Sequence, residues 1–320
     1  MIFLLHQAIG KSHAKIILMG EHSAVYGEPA VVLPISNVGM TVTIKPTLNN
    51  RILQCKYFIG SIEKAPSNML GTQRLIQSLL TRFHQTNATF SMQIESTIPS
   101  ERGMGSSAAT AVAVTRALYK YFKQPLTHTQ LLKDANIEEK ITHGNPSGMD
   151  AATTAASQPV WFTKGQPIQS TSINLDGELV IADSGVKGRT DIAVNSVHEK
   201  VVNDPTFGKT HIQGLGRLAK DAKQRLANNQ IVQLGQDMSN AQYHLAKLGV
   251  SCDPLDNLIH TAKANGAYGA KLTGSGLGGC MIALVKDDAQ AKKVSKALLK
   301  AGAVDTWLQP FSLASGGQNA

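Results

Sequence analysis

Four short stretches carry residue types whose spacing can do chemistry. The first runs Pro99-Ser100-Glu101-Arg102-Gly103-Met104-Gly105-Ser106-Ser107-Ala108-Ala109. Its glycines permit left-handed backbone and let an anion approach the main chain. The alanine-rich stretch after it reads as a helix, whose first turn offers unpaired N–H groups and a partial positive charge. A serine hydroxyl there can also reach a metal. The arrangement suits a polyphosphate, but it is no Walker A loop, because Gly-Lys-Ser/Thr is missing. Equally open is a tight turn with Ser106 as an ordinary N-cap.

The second stretch joins Glu139 and His143, four residues apart and so on one helix face, to the turn Gly144-Asn145-Pro146-Ser147-Gly148 that delivers Asp150. Phosphoryl transfer needs an acidic group near the accepting hydroxyl and a carboxylate for Mg²⁺, and one segment can present both. Ser147 and Asp150 also fit a capping box for a helix beginning near Ala151. The third stretch, Lys271-Leu272-Thr273-Gly274-Ser275-Gly276-Leu277-Gly278-Gly279-Cys280, is dense in glycine. It allows close backbone approach to a ligand, or simply a glycine-rich hairpin. The fourth, Lys15 to Gly27, places Gly20-Glu21-His22 as a polar break between two apolar runs. Read on its own, it is a loop able to carry binding groups.

The elements that must hold these stretches follow from periodicity. Strands are expected at Lys15–Leu18, Ala30–Leu33, Met40–Ile44, Leu179–Ala182, Ala270–Thr273 and Cys280–Val285. Thr89–Ile98 alternates, with Phe90, Met92, Ile94 and Ile98 on one face, as a half-buried strand does. Helical spacing covers Asn68–His84, Ser107–Phe122, Thr129–His143, Ile212–Asn228, Ile231–Leu248, Pro254–Asn265 and Ala289–Ala301. Strands and helices do not alternate regularly, so the fold class is α+β and not a doubly wound parallel sheet. A boundary near Val186–Thr190 divides an N-terminal domain, 1–186, from a C-terminal domain, 187–320. The tail Ser315–Ala320 is low in complexity and is expected to fray.

Composition narrows the class. A chain of 320 residues with 42% hydrophobic and 17% charged residues can build a sizeable core. No apolar run reaches a membrane span, and Met1–Leu5 is too short for a signal-peptide core. The expectation is a cytoplasmic protein with no membrane partner. Cys55, Cys252 and Cys280 form no C-x-x-C pair and read as buried thiols. The net charge of +9 comes from dispersed lysines, not from a basic run interleaved with aromatics. It reads as a solvated surface that favours anionic substrates, with no nucleic-acid partner.

Together and in this order, the four stretches resemble the GHMP kinase superfamily. Gly20-Glu21-His22 with Tyr26-Gly27 is similar to its first motif, Pro99 to Ala109 to its second, with Met104 where leucine is usual, and Gly274 to Cys280 to its third. Ser23-Ala24-Val25-Tyr26-Gly27, the His143–Asp150 turn, and Leu248–Cys252 with Leu255-Asp256 bring it nearest the branch that acts on mevalonate. The resemblance implies a two-domain fold: an N-terminal α+β domain like one in a ribosomal protein, then a C-terminal ferredoxin-like domain. It implies ATP-dependent phosphorylation of mevalonate to 5-phosphomevalonate, with ATP and Mg²⁺, in a monomer or homodimer. Asp150 then matches the catalytic aspartate beside the substrate hydroxyl, and Lys15 the lysine paired with it. Ser107 and Glu139 match the metal ligands. Pro99, Gly103, Met104, Gly105, Ser106, Ser107 and Ala108 match the phosphate loop, and Gly274, Ser275 and Gly276 a second loop bordering the phosphates. Glu21, His22 and Asp150 fall on the substrate side. Two departures stand out: Ser12-His13-Ala14 replaces the usual Ala-Pro-Gly before the lysine, and Ser275 and Leu277 interrupt an otherwise glycine-rich third motif. Rival readings are a related kinase acting on phosphomevalonate or homoserine, and a non-catalytic nucleotide or nucleic-acid binder on the same fold.

Overall fold

The structure, a computed structural model, describes residues 7–144 and 146–311. The expectations for Met1–Leu5, for Asn145 and for the tail Ser315–Ala320 lie outside the described residues, as does the side chain of His143. In chain order the elements are β1 (Ala8–Met19), β2 (Ala30–Pro46), β3 (Arg51–Cys55), β4 (Phe58–Ser61), α1 (Leu70–Arg82), β5 (Phe90–Ser96), α2 (Ser106–Tyr121), α3 (His128–His143) and α4 (Met149–Ala155). Then come β6 (Val160–Phe162), β7 (Gln169–Ser170), β8 (Glu178–Asp183), α5 (Thr190–Asn203), α6 (Pro205–Ala227), α7 (Ile231–Leu248), α8 (Asp253–Ala264), β9 (Gly269–Leu272), β10 (Cys280–Val285), α9 (Asp288–Lys300) and β11 (Asp305–Pro310).

These elements form two compact units that interleave along the chain. One holds residues up to Ala14, Ile35–Pro99 and Gly105–Ala155; the other holds Lys15–Pro34, Ser100–Met104 and Ala156 onward. The expected division at 186/187 is a single cut in sequence, whereas the chain passes between these units several times.

In the first unit β2 pairs antiparallel with β5 through Met40–Pro46, and β5 pairs parallel with β3, which forms a hairpin with β4. The alternation expected over Thr89–Ile98 is realised: Phe90, Met92, Ile94 and Ile98 are all buried. Helix α2 is buried nearly all round, from Ala108 to Tyr119. Its alanines let other elements come close. A Cβ at Gly10 of β1 would lie 2.1 Å from the Ala113 carbonyl oxygen, so only glycine fits there. Close packing against α2 also explains why β1 begins at Ala8 and not at Lys15. Small residues at Ala8, Gly10, Ser12 and Ala14 turn inward, and Lys15 sits mid-strand, 3% exposed.

The second unit contains an antiparallel sheet ordered β11-β8-β10-β9. Numbered within that sheet, the order is 4-1-3-2, with helices inserted after the first and third strands. That is the β-α-β-β-α-β pattern of a ferredoxin-like domain. All six residues of β8 and all six of β10 are buried, as expected of central strands covered by helices. The N-terminal end of β2, Ala30–Val32, pairs with β6 in this unit, and β6 pairs with β7. Cys280 is buried as expected, but Cys55 and Cys252 are only half-buried; all three are free thiols. No helix among the described residues is long and apolar enough to cross a membrane.

Candidate active site

Each unit gathers part of the predicted set. In the first unit α2 begins at Ser106, and its N-cap is Gly105 in left-handed conformation with no side-chain hydrogen bond. Ser106 is therefore the first helical residue and not the capping one, which corrects the alternative reading. The ladder opens with Ala109 N donating to the Gly105 carbonyl, at 2.9 Å. The N–H groups of Ser106, Ser107 and Ala108 head the helix without a side-chain cap, the arrangement that receives anions. Ala108 is buried, so its backbone is the part able to meet a ligand.

Below this terminus sits an acidic cluster. The Ser107 hydroxyl lies 2.7 Å from Glu138 Oε2 and 2.8 Å from Glu139 Oε1. A hydroxyl has one proton to donate, so both contacts are hydrogen bonds only when a carboxyl donates to the serine oxygen. Glu139 is suited to do so. Burial, then the nearby charges of Asp150 and Glu138, push its pKa up to about 8. Glu138 also accepts from Thr142 Oγ1 at 3.1 Å. Helix α1 makes room for it, because a Cβ at Gly71 would come within 3.0 Å of Glu138 Oε1. Asp150 lies in the first turn of α4, where the helix dipole favours a carboxylate. That helix starts at Met149, two residues before the expected Ala151. Ser147 Oγ accepts from Met149 N at 3.3 Å, so the expected capping box to Asp150 is replaced by a tighter turn.

In the second unit the Lys15 backbone N–H donates to the Met104 carbonyl at 3.0 Å, tying β1 to the segment Ser100–Met104. Met104 is 1% exposed, so it too can offer a ligand only backbone. The Glu21 side chain is fully buried and forms an ion pair with the equally buried Lys271. Lys271 also donates to the Leu272 carbonyl at 2.7 Å. Glu21 Oε2 is buried with no hydrogen-bond partner among the described residues. Burial pushes the Glu21 carboxyl pKa up and the Lys271 ammonium down, each opposed by the partner's charge.

His22 has a positive φ, 59° with ψ −43°, a sparsely populated conformation for a residue with a side chain. Its Nε2 lies 2.9 Å from the Ser275 carbonyl oxygen. That oxygen only accepts, so Nε2 carries the proton and Nδ1 is left as an acceptor. Burial lowers the His22 pKa, against the effect of this bond, and keeps the ring neutral. His22, which the resemblance puts on the substrate side, thus has its Nε2–H committed to the third glycine motif.

That motif is both a hairpin and a close approach. Strands β9 and β10 pair antiparallel across it. A Cβ at Gly274 would lie 3.3 Å from Gly103 Cα, so the two glycine loops meet. Thr273 Oγ1 accepts from Ile17 N at 3.0 Å and donates to Ile17 O at 2.9 Å, fixing β1 to the loop. Ser275 Oγ lies 3.0 Å from Thr190 Oγ1. Gly276 passes against Val250, where a Cβ would fall 2.0 Å from its carbonyl oxygen. Leu277, where the resemblance leads one to expect glycine, keeps a glycine-like φ of 54°.

Sequence reasoning missed Glu138 and Lys271. Glu138 adjoins Glu139, but its i, i+4 partner is Thr142, a pairing that marks no chemistry in the sequence. Lys271 did leave a signal, a lysine inside an otherwise apolar strand, yet its partner lies 250 positions away. Among the described residues no three His, Cys, Asp or Glu side chains converge as a metal site by themselves.

Two family descriptions match the chain: GHMP kinases N terminal domain over residues 72–158, and GHMP kinases C terminal over residues 222–304. A mevalonate kinase of Pyrococcus abyssi is 30% identical, covering 92% of this chain and 92% of the relative. Among solved structures, the mevalonate kinase of L. major in complex with R-mevalonate has a TM-score of 0.82 at 25% identity, covering 95% of this chain and 96% of that one. The mevalonate kinase of methicillin-resistant Staphylococcus aureus has a TM-score of 0.73 at 32% identity, covering 95% and 99%.

Proposed function

The chain belongs to the GHMP kinases, and on that footing we propose that it transfers the γ-phosphoryl group of ATP to the primary hydroxyl of mevalonate, giving 5-phosphomevalonate. The observation that carries the acceptor is similarity to mevalonate kinases over nearly the whole chain, at 30% and 32% identity. The phosphoryl chemistry is supported by the uncapped N-terminus of α2 above a carboxylate cluster. In this reading the enzyme acts in the cytoplasm on the route to isoprenoids.

The residues present fit a divalent cation. A hydroxyl and two carboxyl groups converge, and the burial and like charge that raise the Glu139 pKa are what a cation would offset in displacing its proton. Mg²⁺ ordinarily takes one or two carboxylates and completes its shell with phosphate oxygens and water. Ser107 and Glu139 would hold it, and when bound it would neutralise charge on the phosphates. The backbone of Gly103 to Ala108, entered from Pro99, cradles the polyphosphate, and Gly274, Ser275 and Gly276 border it. Asp150 orients the acceptor hydroxyl and takes its proton as the oxygen bonds to phosphorus and the ADP oxygen departs. Lys15 supplies positive charge that stabilises charge on the transferring group. Glu21 shapes the substrate side through its pairing with Lys271, and His22 through its hold on Ser275.

The test is a coupled kinase assay with mevalonate, phosphomevalonate, homoserine and galactose at equal concentration, compared by kcat/KM. Mevalonate is expected to lead. A higher value for phosphomevalonate or homoserine would overturn the acceptor while leaving the kinase. ATP binding with no alcohol phosphorylated would overturn the kinase.

A further inference from the structure

The segment after β8 was left without a role by the sequence, yet it touches both glycine loops of the second unit. Arg102, inside the phosphate loop, directs Nε at both carboxylate oxygens of Asp183, at 2.8 and 2.9 Å, while Nη2 donates to the Gly185 carbonyl at 3.2 Å. Asp183 is the last residue of β8, a central strand, and is 4% exposed. Its Oδ1 also accepts from Gly185 N at 2.8 Å, which fixes the turn that follows. One residue earlier in the loop, the Glu101 carbonyl accepts from Gly188 N at 2.9 Å. The same segment grips the other loop. Gly279 N donates to the Val186 carbonyl at 2.7 Å, and the Ser184 hydroxyl donates to the Gly279 carbonyl at 2.6 Å.

What these contacts hold in place is an unfavourable backbone. Glu101 has φ 58°, Gly103 φ 77° and Gly105 φ 75°. Left-handed residues recurring at every second position point backbone N–H groups inward, as in anion-binding nests. Glycine adopts such angles freely; Glu101 does not. A non-glycine residue stays there only where its surroundings over-determine it. The clasp also leaves Arg102 Nη1 buried with no hydrogen-bond partner among the described residues. A buried guanidinium nitrogen left unsatisfied calls for an explanation beyond packing.

We propose that Arg102 and Asp183 are positioning residues for the nucleotide: by clasping the phosphate loop to the end of β8 they hold Glu101 left-handed and so preorganise the loop for the polyphosphate. The proposal rests on the kinase reading above for the identity of the anion. Neither residue touches a reacting atom. Without the clasp, the left-handed state of Glu101 must be recovered on binding, which for a non-glycine residue corresponds to roughly a five- to thirty-fold loss of affinity.

The experiment measures Mg·ADP affinity by calorimetry, and KM for ATP and for the alcohol, in four proteins. These are the wild type, Arg102→Ala, Glu101→Gly and the double variant, with circular dichroism to check folding. Arg102→Ala is expected to weaken Mg·ADP and to raise KM for ATP about tenfold, with KM for the alcohol within about twofold. Glu101→Gly removes the left-handed penalty, so the double variant is expected to regain most of the nucleotide affinity. Arg102→Lys, which cannot present the same fork, is expected to resemble Arg102→Ala. Unchanged nucleotide affinity in Arg102→Ala overturns the proposal. So does a loss that Glu101→Gly fails to restore, or one that falls equally on both substrates, since packing alone would do that. Should Arg102→Ala fail to fold, Asp183→Asn, which keeps the shape and one acceptor oxygen, is read in the same way. Nucleotide affinity is the readout, so an error in the acceptor alone would leave this result standing.

Discussion

Replacing Lys271 by methionine tests the buried pair on which the Glu21 assignment depends. Both side chains are fully buried. Removing one partner of such a pair strands the other charge in the interior and costs about 3–5 kcal/mol. For a unit of this size that is a fall in Tm on the order of 10 °C. Glu21 Oε2 already lacks a hydrogen-bond partner, so no existing bond is available to absorb the loss. The cost should also depend on pH. Burial raises the Glu21 pKa above its ordinary 4.5, and Lys271 is the largest opposing influence. Without Lys271 the folded-state pKa climbs further. A carboxyl raised on folding contributes stability that is complete below its unfolded pKa and is lost as pH rises through the folded one. The penalty of Lys271→Met is therefore smaller at pH 5 than at pH 8, growing by at most about 1.4 kcal/mol per pH unit. The Lys271→Met/Glu21→Leu double variant, which buries no charge, should recover most of the loss. Urea unfolding of the wild type, the single variant and the double variant at both pH values measures this. A cost below about 1 kcal/mol at both, or a double variant no better than the single, would refute the argument.

Glu139→Gln should respond in the related sense in metal-free protein. The Glu139 pKa of about 8 against an ordinary 4.5 means that stability falls as pH rises through that window, by up to about 5 kcal/mol. Thermal unfolding should thus show the variant gaining on the wild type between pH 5 and 8.5, and kinase assays should show it needing more Mg²⁺; parallel pH profiles would count against the cluster. Asp150→Asn is expected to fold and to bind Mg·ATP while losing roughly 100- to 10,000-fold in kcat; near-normal turnover would make Asp150 only a helix-terminus residue. Leu277→Gly should be more stable than Leu277→Ala by about 1 kcal/mol, because both lose the same side chain and only glycine accepts φ 54° freely; the usual order, alanine above glycine, would sink that reading.

The elements that were legible in the sequence are those whose burial is locally periodic. Ile231–Leu248 and Cys280–Val285 are found at their expected limits, one carrying a clear apolar stripe and the other a short apolar run. Ala30–Leu33 and Met40–Ile44 read as two strands but are one, because β2 runs on through Pro34 and Gly39. The hairpin β3–β4 was missed since only Leu53 of its aliphatic residues is buried, while Ile52 and Ile59 are exposed, so no apolar alternation marks it. Helix α5 was missed because it buries only Ala193 and Val197. The same limit applied to the site. Ser107, Glu139 and Asp150 could be picked out because they sit in motifs. Arg102–Asp183 and Glu21–Lys271 could not, because each is a contact between distant parts of the chain that no local period records.

The way the two units interleave has a consequence for synthesis on the ribosome. The first unit is complete in sequence once Ala155 has been made, and the excursions Lys15–Pro34 and Ser100–Met104, already made by then, belong to the second unit. Those excursions carry Lys15, Glu21, His22 and Arg102, whose partners in the second unit include Asp183, Lys271 and Ser275. At ordinary elongation rates the wait from Ala155 to the end of the third glycine motif lasts on the order of ten seconds. Through nearly all of it a half-made chain leaves the Glu21 carboxylate, buried in the finished protein, without Lys271. Nascent-chain aggregation should therefore peak between these two lengths, and a protease cut at any one crossing should not yield two separable pieces.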